Sequence, residues 1–441
     1  MEHASREGED SIRTLAGDLP QNIGRRVVIQ GWMHNLRKMG AVNFLTLRDR
    51  SGMAQVFLEQ EELEALSGLQ METVLSIDGT VRAEERAPGG VELAGSTIQI
   101  LAPVTDVLPF EINKKVLKPS LDVFLNNAPV GLRFPKRRSV FRVYADLIAG
   151  FREYLIPRGF VEIHTPKLAG SATEGGANVF AMEYFGKQAY LAQSPQLYKQ
   201  IMVGVFERVF EIGPVFRAEE HYTVRHLNEF NSLDVEVGFI EGQDEIMDLL
   251  IEVVECMVLA AFERHPEDAA SLELIRPRFG DVPRITFREA QRLILERHGV
   301  DQSTEPDLSP QDERWIGEWA SETHDTDFVF VTHYPTAKRA FYTMPDPTDP
   351  AHSLSFDLLY KGQELVSGSQ RINRYDQLVQ AMRDRNIDPE PFAGYLQAFR
   401  FGMPPEGGFA IGSERLLMRL TGAENLRETT LFPRDVNRLT P

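Results

Sequence analysis

Residues 24–104 contain a succession of β-branched or alternating stretches, each broken by Gly, Asp or Pro. The stretches are RRVVIQGWMHNL, AVNFLTLRDRSGMAQVFL, TVLSIDGTVRAEE and VELAGSTIQILAPV. RDRSG inside the second stretch is a turn signal, so together they accommodate five short strands. Five strands in about eighty residues suit a small closed barrel of the oligonucleotide-binding (OB) type, with a β-sandwich as the alternative. We therefore expect residues 1–105 to form an all-β domain.

The rest of the chain mixes helices and strands without a regular βαβ repeat. Residues 106–135 contain several Pro and Asn residues and are expected to be a linker. An amphipathic pattern that includes Val140 predicts a long helix, and Gly159 is its stop signal. The irregular mixture that follows favours a mainly antiparallel sheet with flanking helices, an α+β fold. Residues 136–441 would form this second domain, with a small helical insertion at about 270–325.

Composition excludes several classes of protein. The net charge of −18 argues against a general basic surface for coating nucleic acid, although it leaves room for a local basic groove. Cys256 is the only cysteine, so an internal disulfide and a CxxC zinc site are excluded, and its apolar surroundings predict a small buried side chain. No apolar run approaches the roughly 20 residues of a membrane helix, and MEHASREGED is not a signal peptide. We expect a cytoplasmic protein with no membrane partner.

QSPQLYKQ is the first of four polar stretches that indicate a ligand site. Ser194 and Pro195 predict a helix start, with Ser194 as the N-cap. Gln196 and Lys199 would then share one face of the first turn, near the positive end of the helix dipole. Donors and a cation at that end suit a carboxylate ligand, and a solvated helix end is the alternative.

The stretch FRAEEHYTVRHLNEF is a charged loop between VGVFERVFEIGPV and SLDVEVGF, both of which have the pattern of strands. Arg217 lies on the first strand, while Arg225, His226 and Phe230 flank the return strand. ATP requires cations at its phosphates and a flat apolar surface for adenine, and these side chains supply both. A salt-bridged surface hairpin is the alternative.

Two later stretches add oxygen ligands and a helix N-terminus. In YKGQELVSGSQRI, Glu364 and Ser367 offer oxygens that suit Mg²⁺, and Arg371 can meet an anion with two hydrogen bonds. An exposed turn after a strand is the alternative. In GGFAIGSERLLMRLTG, Gly412 precedes an apolar helix with Arg415 near its start. Neither GK[ST] nor GxGxxG is present, so the glycines alone do not indicate phosphate binding.

Taken together, these stretches resemble a known family. GFVEIHTP, FRAEEHYTVRHLNEF and GGFAIGSERLLMRL resemble motifs 1, 2 and 3 of the class II aminoacyl-tRNA synthetases. SATEGGANVF, QSPQLYKQ and GQELVSGSQRI narrow the resemblance to aspartyl-tRNA synthetases of the short form typical of archaea and some bacteria. The resemblance extends from Gly31 to the C-terminus. It implies an anticodon-binding OB-fold barrel followed by a class II catalytic domain.

The resemblance implies a set of ATP-binding residues in the second domain. Arg217 would grip the α-phosphate, Phe230 would stack on adenine, and His226 and Arg415 would hold the γ-phosphate end. Three of these, Arg217, His226 and Arg415, would be the catalytic residues. The other side chains that would line the ATP site are Glu219, Arg225, Leu227, Glu364 and Gly412. Mg²⁺ would be held by Glu364 and Ser367.

The resemblance also implies how L-aspartate is bound. Lys199 and Arg371 would bind its side-chain carboxylate. Asp234 would face its α-amino group together with Glu174, which lies in the loop 171–178. The remaining aspartate-binding residues would be Ser194, Gln196 and Ser367.

The barrel would bind the anticodon of tRNA. Phe44 would stack on a base, and Arg37 and Gln55 would contact base edges. In short aspartyl enzymes that reject tRNA(Asn), a Trp is typical at the position of His34 and a Lys near the turn RAPGGVEL. His34 therefore resembles the pattern of enzymes that charge both tRNA(Asp) and tRNA(Asn), as do the turn residues Pro88 and Gly89.

The function implied is that of a homodimeric, ATP-dependent aspartate–tRNA ligase of protein biosynthesis, acting on tRNA(Asp) and tRNA(Asn). Pro166 resembles the motif 1 proline at the dimer interface of the family. Two alternatives stay open: an asparaginyl-tRNA synthetase, which shares most of these motifs, and a catalytically inactive tRNA-binding paralogue.

Overall fold

The computed structural model describes residues 13–40, 42–170 and 178–440. The chain divides into two compact units, Met1–Phe134 and Pro135–Pro441. No helix among the described residues is long and apolar enough to cross a membrane.

Five strands of the first unit close into a barrel. The unit contains β1 (Arg26–Met39), β2 (Val42–Arg48), β3 (Met53–Leu58), α1 (Gln60–Ala65), β4 (Val74–Ala83) and β5 (Val91–Ala102). The strand order is β1-β2-β3-β5-β4, and all neighbours are antiparallel except β3 and β5. Alternate side chains such as Ile29, Leu45, Val56 and Ile77 fill the interior, as the period of two requires. The predicted barrel is confirmed, and the sandwich alternative is wrong.

The segment predicted to be a linker contains two short helices. These are α2 (Leu121–Asn126), whose N-cap Ser120 accepts a hydrogen bond from the backbone of Val123, and α3 (Ala128–Gly131). The backbone from Pro103 to Ser120 has no regular helix or strand, in agreement with its content of Pro and Asn.

The second unit is built on an eight-stranded sheet with helices packed against it. Its first half contains α4 (Pro135–Leu155), β6 (Val161–Glu162), β7 (Leu168–Ala169), β8 (Ala181–Tyr184), β9 (Lys187–Leu191), α5 (Gln196–Phe206), β10 (Arg208–Phe216), β11 (Glu229–Gly238) and α6 (Gln243–Glu263). Its second half contains α7 (Pro266–Ser271), β12 (Arg284–Thr286), α8 (Phe287–His298), α9 (Pro310–His324), β13 (Phe328–Thr332), β14 (Ser355–Tyr360), β15 (Glu364–Gln370), α10 (Tyr375–Asp384), α11 (Ala393–Arg400), β16 (Glu406–Gly412) and α12 (Ser413–Thr421).

The large sheet has the strand order β12-β13-β14-β15-β16-β11-β10-β6. Its pairs are antiparallel except at the two edges, where β12 and β6 run parallel to their neighbours. Strands β7, β9 and β8 form a separate small sheet. The mainly antiparallel sheet with flanking helices confirms the predicted α+β class.

Helices α4 and α6 form much of the core on one face of the sheet. The predicted apolar stripe of α4 is buried at Leu147, Phe151 and Leu155. A short 3-10 turn follows the helix and ends at Gly159, whose φ of 81° is the left-handed conformation that glycine adopts freely. A Cβ added at Gly150 would lie 2.8 Å from that of Ala260 on α6, so glycine permits the two helices to approach closely.

Three local expectations differ from the structure. Helix α5 begins at Gln196, with Pro195 rather than Ser194 as its N-cap residue. The stretch VGVF, expected to be extended, belongs to α5, and the strand starts only at Arg208, after Glu207 has turned the chain with a φ of 63°. Val203 is buried against α11 and its neighbours, and this packing outweighs the β preference of a β-branched residue. Cys256 is only half-buried.

Candidate active site

One cleft on the second unit contains all of the residues predicted to bind ATP. Three elements form it: the loop between β10 and β11, strand β15 and the N-terminus of α12. The predicted residues that line it are Arg217, Glu219, Arg225, His226, Leu227, Phe230, Glu364, Ser367, Gly412 and Arg415. Segments more than a hundred residues apart in sequence therefore meet at one place.

The β10–β11 hairpin brings a cation beside an aromatic ring. Val215 pairs with Phe230 across the hairpin, and the guanidinium carbon of Arg217 lies 5.4 Å from the centre of the Phe230 ring. The side-chain amide of Asn228 donates to the backbone carbonyls of Arg217 and Glu219, at 2.7 and 3.0 Å, and so fixes the loop. Asn228 was not predicted as a site residue. Its only indication in the sequence was its position among the charged residues of HLNEF.

His226 occupies the cationic end of the cleft. Its Nε2 lies 3.6 Å from a carboxylate oxygen of Glu219, and its Nδ1 is hydrogen-bonded to the hydroxyl of Thr223. Partial burial lowers the pKa of His226, and the nearby Arg415 lowers it further, while Glu219 opposes both effects. An arriving polyanion would favour the protonated ring, so this end of the cleft can gain positive charge when a phosphate chain binds.

Hydroxyl and carboxylate oxygen atoms lie close together on the opposite wall of the cleft. The hydroxyl of Ser367 lies 3.0 Å from Glu364 Oε1 and 2.8 Å from Asp357 Oδ1. Asp357 faces Ser367 across β14 and β15, and Arg339 donates to its other oxygen at 2.7 Å. The structure thus adds Asp357 to the predicted pair, and its signal was a carboxylate in the otherwise apolar strand SFDLLY. Among the described residues, no group of three or more His, Cys, Asp or Glu side chains is arranged to hold a metal ion.

Helix α9, from the predicted insertion, supports this wall. Glu313 accepts a hydrogen bond from the backbone N–H of Glu364 at 3.1 Å. A Cβ added at Gly317 would lie 2.5 Å from the backbone nitrogen of Gly362, so only glycine lets the helix approach the β14–β15 turn this closely. Burial raises the pKa of Glu313 to about 7, although the hydrogen bond from the Glu364 backbone opposes the shift. No pattern in the sequence indicated that the insertion reaches the site.

The residues predicted to bind the carboxylate of aspartate form one buried network beneath the cleft. Lys199 Nζ donates to Asp234 Oδ1 at 2.9 Å and to the carbonyl of Phe409 at 3.1 Å, and lies 3.2 Å from Glu236 Oε2. Arg371 Nε donates to Glu236 Oε1 at 2.7 Å. Lys199 is fully buried, so the solvated helix end considered above is wrong.

Two further contacts link the network to its surroundings. Arg371 donates to Gln196 Oε1 at 3.3 Å, and Ser194 Oγ accepts from the backbone N–H of Gln196 at 3.1 Å. The hydroxyl of Ser232, which lines the cleft, donates to Asp234. Glu236 was missed, although LDVEV places it two residues from Asp234 and hence on the same face of a strand. Glu174 lies outside the described residues.

The residues predicted to contact the anticodon divide into two groups. Arg37 pairs with Phe44, and Gln55 with Thr46, so all three predicted side chains lie on the outer face of β1–β3. The rings of Phe44 and Phe57 are 6.1 Å apart on this face. Such a surface offers rings for stacking beside polar groups.

His34 is less exposed than these three side chains. It is 8% exposed, and its Nδ1 lies 3.2 Å from the guanidinium of Arg48, which is itself paired with Glu72. Burial and the charge of Arg48 lower the pKa of His34. Pro88 and Gly89, by contrast, are exposed in the turn before β5. His34 lies at a β-bulge of β1, and its contact with the anticodon stays a prediction.

Both parts of the chain match known protein families. Residues 120–436 match the family of class II tRNA synthetases (D, K and N), and residues 27–101 match the OB-fold nucleic acid binding domain. The chain is 44% identical to the aspartate–tRNA(Asp/Asn) ligase of Thermus thermophilus, over 98% of this chain and 100% of the relative. It is 39% identical to the aspartate–tRNA(Asp) ligase of Pyrococcus abyssi, over 95% and 97%.

Solved structures show the same fold. The asparaginyl-tRNA synthetase of Pyrococcus horikoshii, in complex with asparaginyl-adenylate, superposes with a TM-score of 0.89 at 32% identity, covering 98% of this chain and 100% of that chain. The similarity therefore includes proteins named for both aspartate and asparagine.

Replacing Lys199 with leucine should lower the free energy of unfolding by about 3–5 kcal/mol, because Asp234 would keep a buried charge without its cation. Urea denaturation measures this loss. Lys187→Leu, at an exposed position of β9, is the matched control and should change stability by no more than about 0.5 kcal/mol. A loss no larger than the control's would mean that the buried network is not charged as described.

Proposed function

Because the chain belongs to the class II tRNA synthetases of the D, K and N group, we propose that it attaches L-aspartate to tRNA in an ATP-dependent reaction. The observation that carries the choice of aspartate is the buried network of Lys199, Arg371, Asp234 and Glu236 directly beneath the cleft.

The charges of the network complement those of aspartate. Lys199 is held by Asp234 in the free protein. The α-ammonium group of aspartate would pair with Asp234, which releases Lys199 to join Arg371 in binding the side-chain carboxylate. Asparagine brings the ammonium group but only a neutral amide, so the two cations would keep fewer favourable partners in a dry pocket.

The reaction proposed has two steps. An α-carboxylate oxygen of aspartate attacks the α-phosphorus of ATP, a new P–O bond forms, and pyrophosphate leaves. The terminal ribose hydroxyl of tRNA then attacks the acyl carbon of aspartyl-adenylate, and AMP leaves. No protein nucleophile takes part, so the residues of the cleft contribute by positioning the reactants and by placing cations where negative charge develops.

Each side of the cleft supports one part of ATP. Arg217 would hold the α-phosphate and Phe230 would stack on adenine, since the two lie side by side on the hairpin. His226 and Arg415 would hold the γ-phosphate end, together with Arg225. Glu219 accompanies His226 and would orient it.

The oxygen-rich wall fits Mg²⁺, which takes one or two carboxylates together with substrate phosphates. Glu364 and Asp357, joined through Ser367, would hold the ion. When bound with ATP, Mg²⁺ would neutralise part of the charge of the phosphates.

A homodimer is proposed on the basis of the sheet edge. Strand β6 is the last strand of the large sheet, and Val161 and Leu168 on either side of the HTP turn are 38% and 47% exposed. Pro166 lies exposed between them, on a segment that Glu211 fixes by accepting hydrogen bonds from Thr165 and Lys167. An exposed edge with apolar side chains is a surface that a second copy can cover.

The tRNA substrates proposed are tRNA(Asp) and tRNA(Asn), read by the outer face of the barrel. The anticodons of the two tRNAs differ at one base. His34 is a smaller ring than the Trp of enzymes that reject tRNA(Asn) and is nearly buried beside Arg48, so it offers few contacts to penalise the wrong base. One mismatch typically costs only about 1–3 kcal/mol even in well-read duplex sites.

Pyrophosphate exchange with the purified protein tests the amino acid. We expect exchange with aspartate and a kcat/KM for asparagine lower by roughly 10⁴-fold or more, the discrimination that unpaired buried polar groups can give. Exchange with asparagine alone would identify the asparaginyl alternative, and no exchange with either would favour the inactive paralogue.

Two substitutions separate binding of ATP from the chemical step. Phe230→Ala should weaken ATP binding by about 1–3 kcal/mol, the range for stacking a base on an aromatic ring. Arg217→Ala should instead slow adenylate formation, because its interaction strengthens as charge builds on the α-phosphate. Stopped-flow measurements of affinity and rate distinguish the two, and equal effects from both substitutions would contradict these roles.

Charging of purified tRNA(Asp) and tRNA(Asn) in parallel tests the tRNA specificity. We expect kcat/KM values for the two that differ by about tenfold or less, in keeping with the small cost of one mismatched base. A preference for tRNA(Asp) above roughly a hundredfold, about 2.7 kcal/mol, would equal the cost of a mismatch at a firmly read base and contradict the proposal.

A further inference from the structure

A second layer of polar side chains lies behind Lys199 and Arg371. Its centre is Glu406, the first residue of β16, which is fully buried. Gln200 on α5 donates to Glu406 Oε1 at 3.0 Å, and the hydroxyl of Tyr395 on α11 donates to Gln200 Oε1 at 3.1 Å. The other carboxyl oxygen of Glu406, Oε2, has no hydrogen-bond partner among the described residues.

The buried charges around Glu406 do not balance if it is ionised. Lys199 and Arg371 supply two cations, and their ion pairs are made with Asp234 and Glu236. The charges of these four groups sum to zero, so an ionised Glu406 would leave one buried negative charge uncompensated. Burying such a charge costs far more than burying a neutral carboxyl group.

The groups that face Glu406 come from every neighbouring element. They are Lys199 and Gln200 on α5, Glu236 on β11, Arg371 after β15, Tyr395 on α11, and Tyr342, over whose ring Arg371 lies. Burial is the largest influence on the pKa of Glu406 and raises it well above the ordinary value of a glutamate. The charge of Glu236 raises it further, against smaller effects of Gln200, Arg371 and Lys199.

We propose that Glu406 is a specificity-determining residue that acts as a neutral acid, and that its lack of charge allows the pocket to accept the side-chain carboxylate of aspartate. The inference rests on the proposed function. If Glu406 ionised, the pocket would carry a net negative charge before its ligand arrived. Aspartate would then be repelled, whereas asparagine, which has no side-chain charge, would be affected much less.

The proposal predicts that the preference for aspartate depends on pH. In pyrophosphate exchange from pH 5 to 9.5, the wild-type kcat/KM for aspartate should stay constant relative to the inhibitory affinity of asparagine while Glu406 is neutral, and should fall only at alkaline pH, once Glu406 ionises. The α-amino groups of the two amino acids titrate at different pH values, so each constant is referred to the fraction of amino acid that carries its ammonium group. The corrected ratio isolates the side-chain charge. We expect the ratio to fall by about fivefold or more, which corresponds to roughly 1 kcal/mol of repulsion because a tenfold change corresponds to about 1.4 kcal/mol.

Glu406→Gln provides the second measurement, because glutamine keeps the shape of the neutral acid and cannot ionise. In this variant, the kcat/KM for aspartate relative to the inhibitory affinity of asparagine should stay constant over the same pH range. Glu72→Gln is the matched control, since Glu72 is also a buried, ion-paired glutamate but belongs to the first unit, whose proposed ligand, tRNA, takes no part in pyrophosphate exchange. The control should show the same pH-dependent fall as the wild type.

Three outcomes would overturn the inference. A wild-type ratio that already falls between pH 5 and 7 would do so without any variant, even if Glu406→Gln fails to fold, because Glu406 would then be ionised at neutral pH. A tenfold loss of kcat/KM for aspartate in Glu406→Gln at pH 7, about 1.4 kcal/mol, with an unchanged KM for ATP would show that Glu406 acts as an anion. A pH-dependent fall in Glu406→Gln equal to that of the wild type would assign the titration to another group. Absence of aspartate-dependent exchange at any pH would instead contradict the proposed function.

Discussion

The second unit depends on one buried group of opposite charges. Lys199 on α5 joins Asp234 on β11 to the backbone of β16 at Phe409, and Arg371 joins Glu236 on β11 to the end of β15. Each of these charges is tolerated in the interior only because its partner is held in place. Helix α5 and the central strands are therefore fixed relative to one another at the point where the ligand is expected to bind.

Strand β11 places four of the polar and aromatic side chains of the site along one face. Phe230, Ser232, Asp234 and Glu236 alternate with Leu233, Val235 and Val237, whose side chains enter the core on the other face. Phe230 and Asp234 are four residues apart, about 13 Å along a strand, which suits an adenine at one end and an amino acid at the other. The reacting groups would meet between them, so one strand defines the geometry of the adenylation reaction, and no nucleophilic side chain is required.

The fold and the site could be predicted from the sequence wherever a local sequence pattern persists in the folded structure. The barrel strands, the long helix α4 and the residues of the cleft carry period-two, period-3.6 or charged patterns that survive folding. Asp357, Glu236 and Glu313 were missed because each is a single carboxylate whose importance comes from partners distant in sequence. The start of β10 was misplaced for a related reason: tertiary packing, not β propensity, decided the conformation of Val203.

The bulge in β1 shows how one residue changes the surface offered to RNA. Before His34, odd-numbered residues such as Ile29 and Met33 point into the barrel, and an uninterrupted period of two would turn Arg37 inward as well. The pairing shifts between Met33 and Asn35, so His34 is the extra residue and the faces exchange after it. Arg37 consequently lies outside, opposite Phe44, while His34 is enclosed with Arg48. The same irregularity thus places Arg37 beside Phe44 on the outer face, which a strand with an uninterrupted period of two would not do.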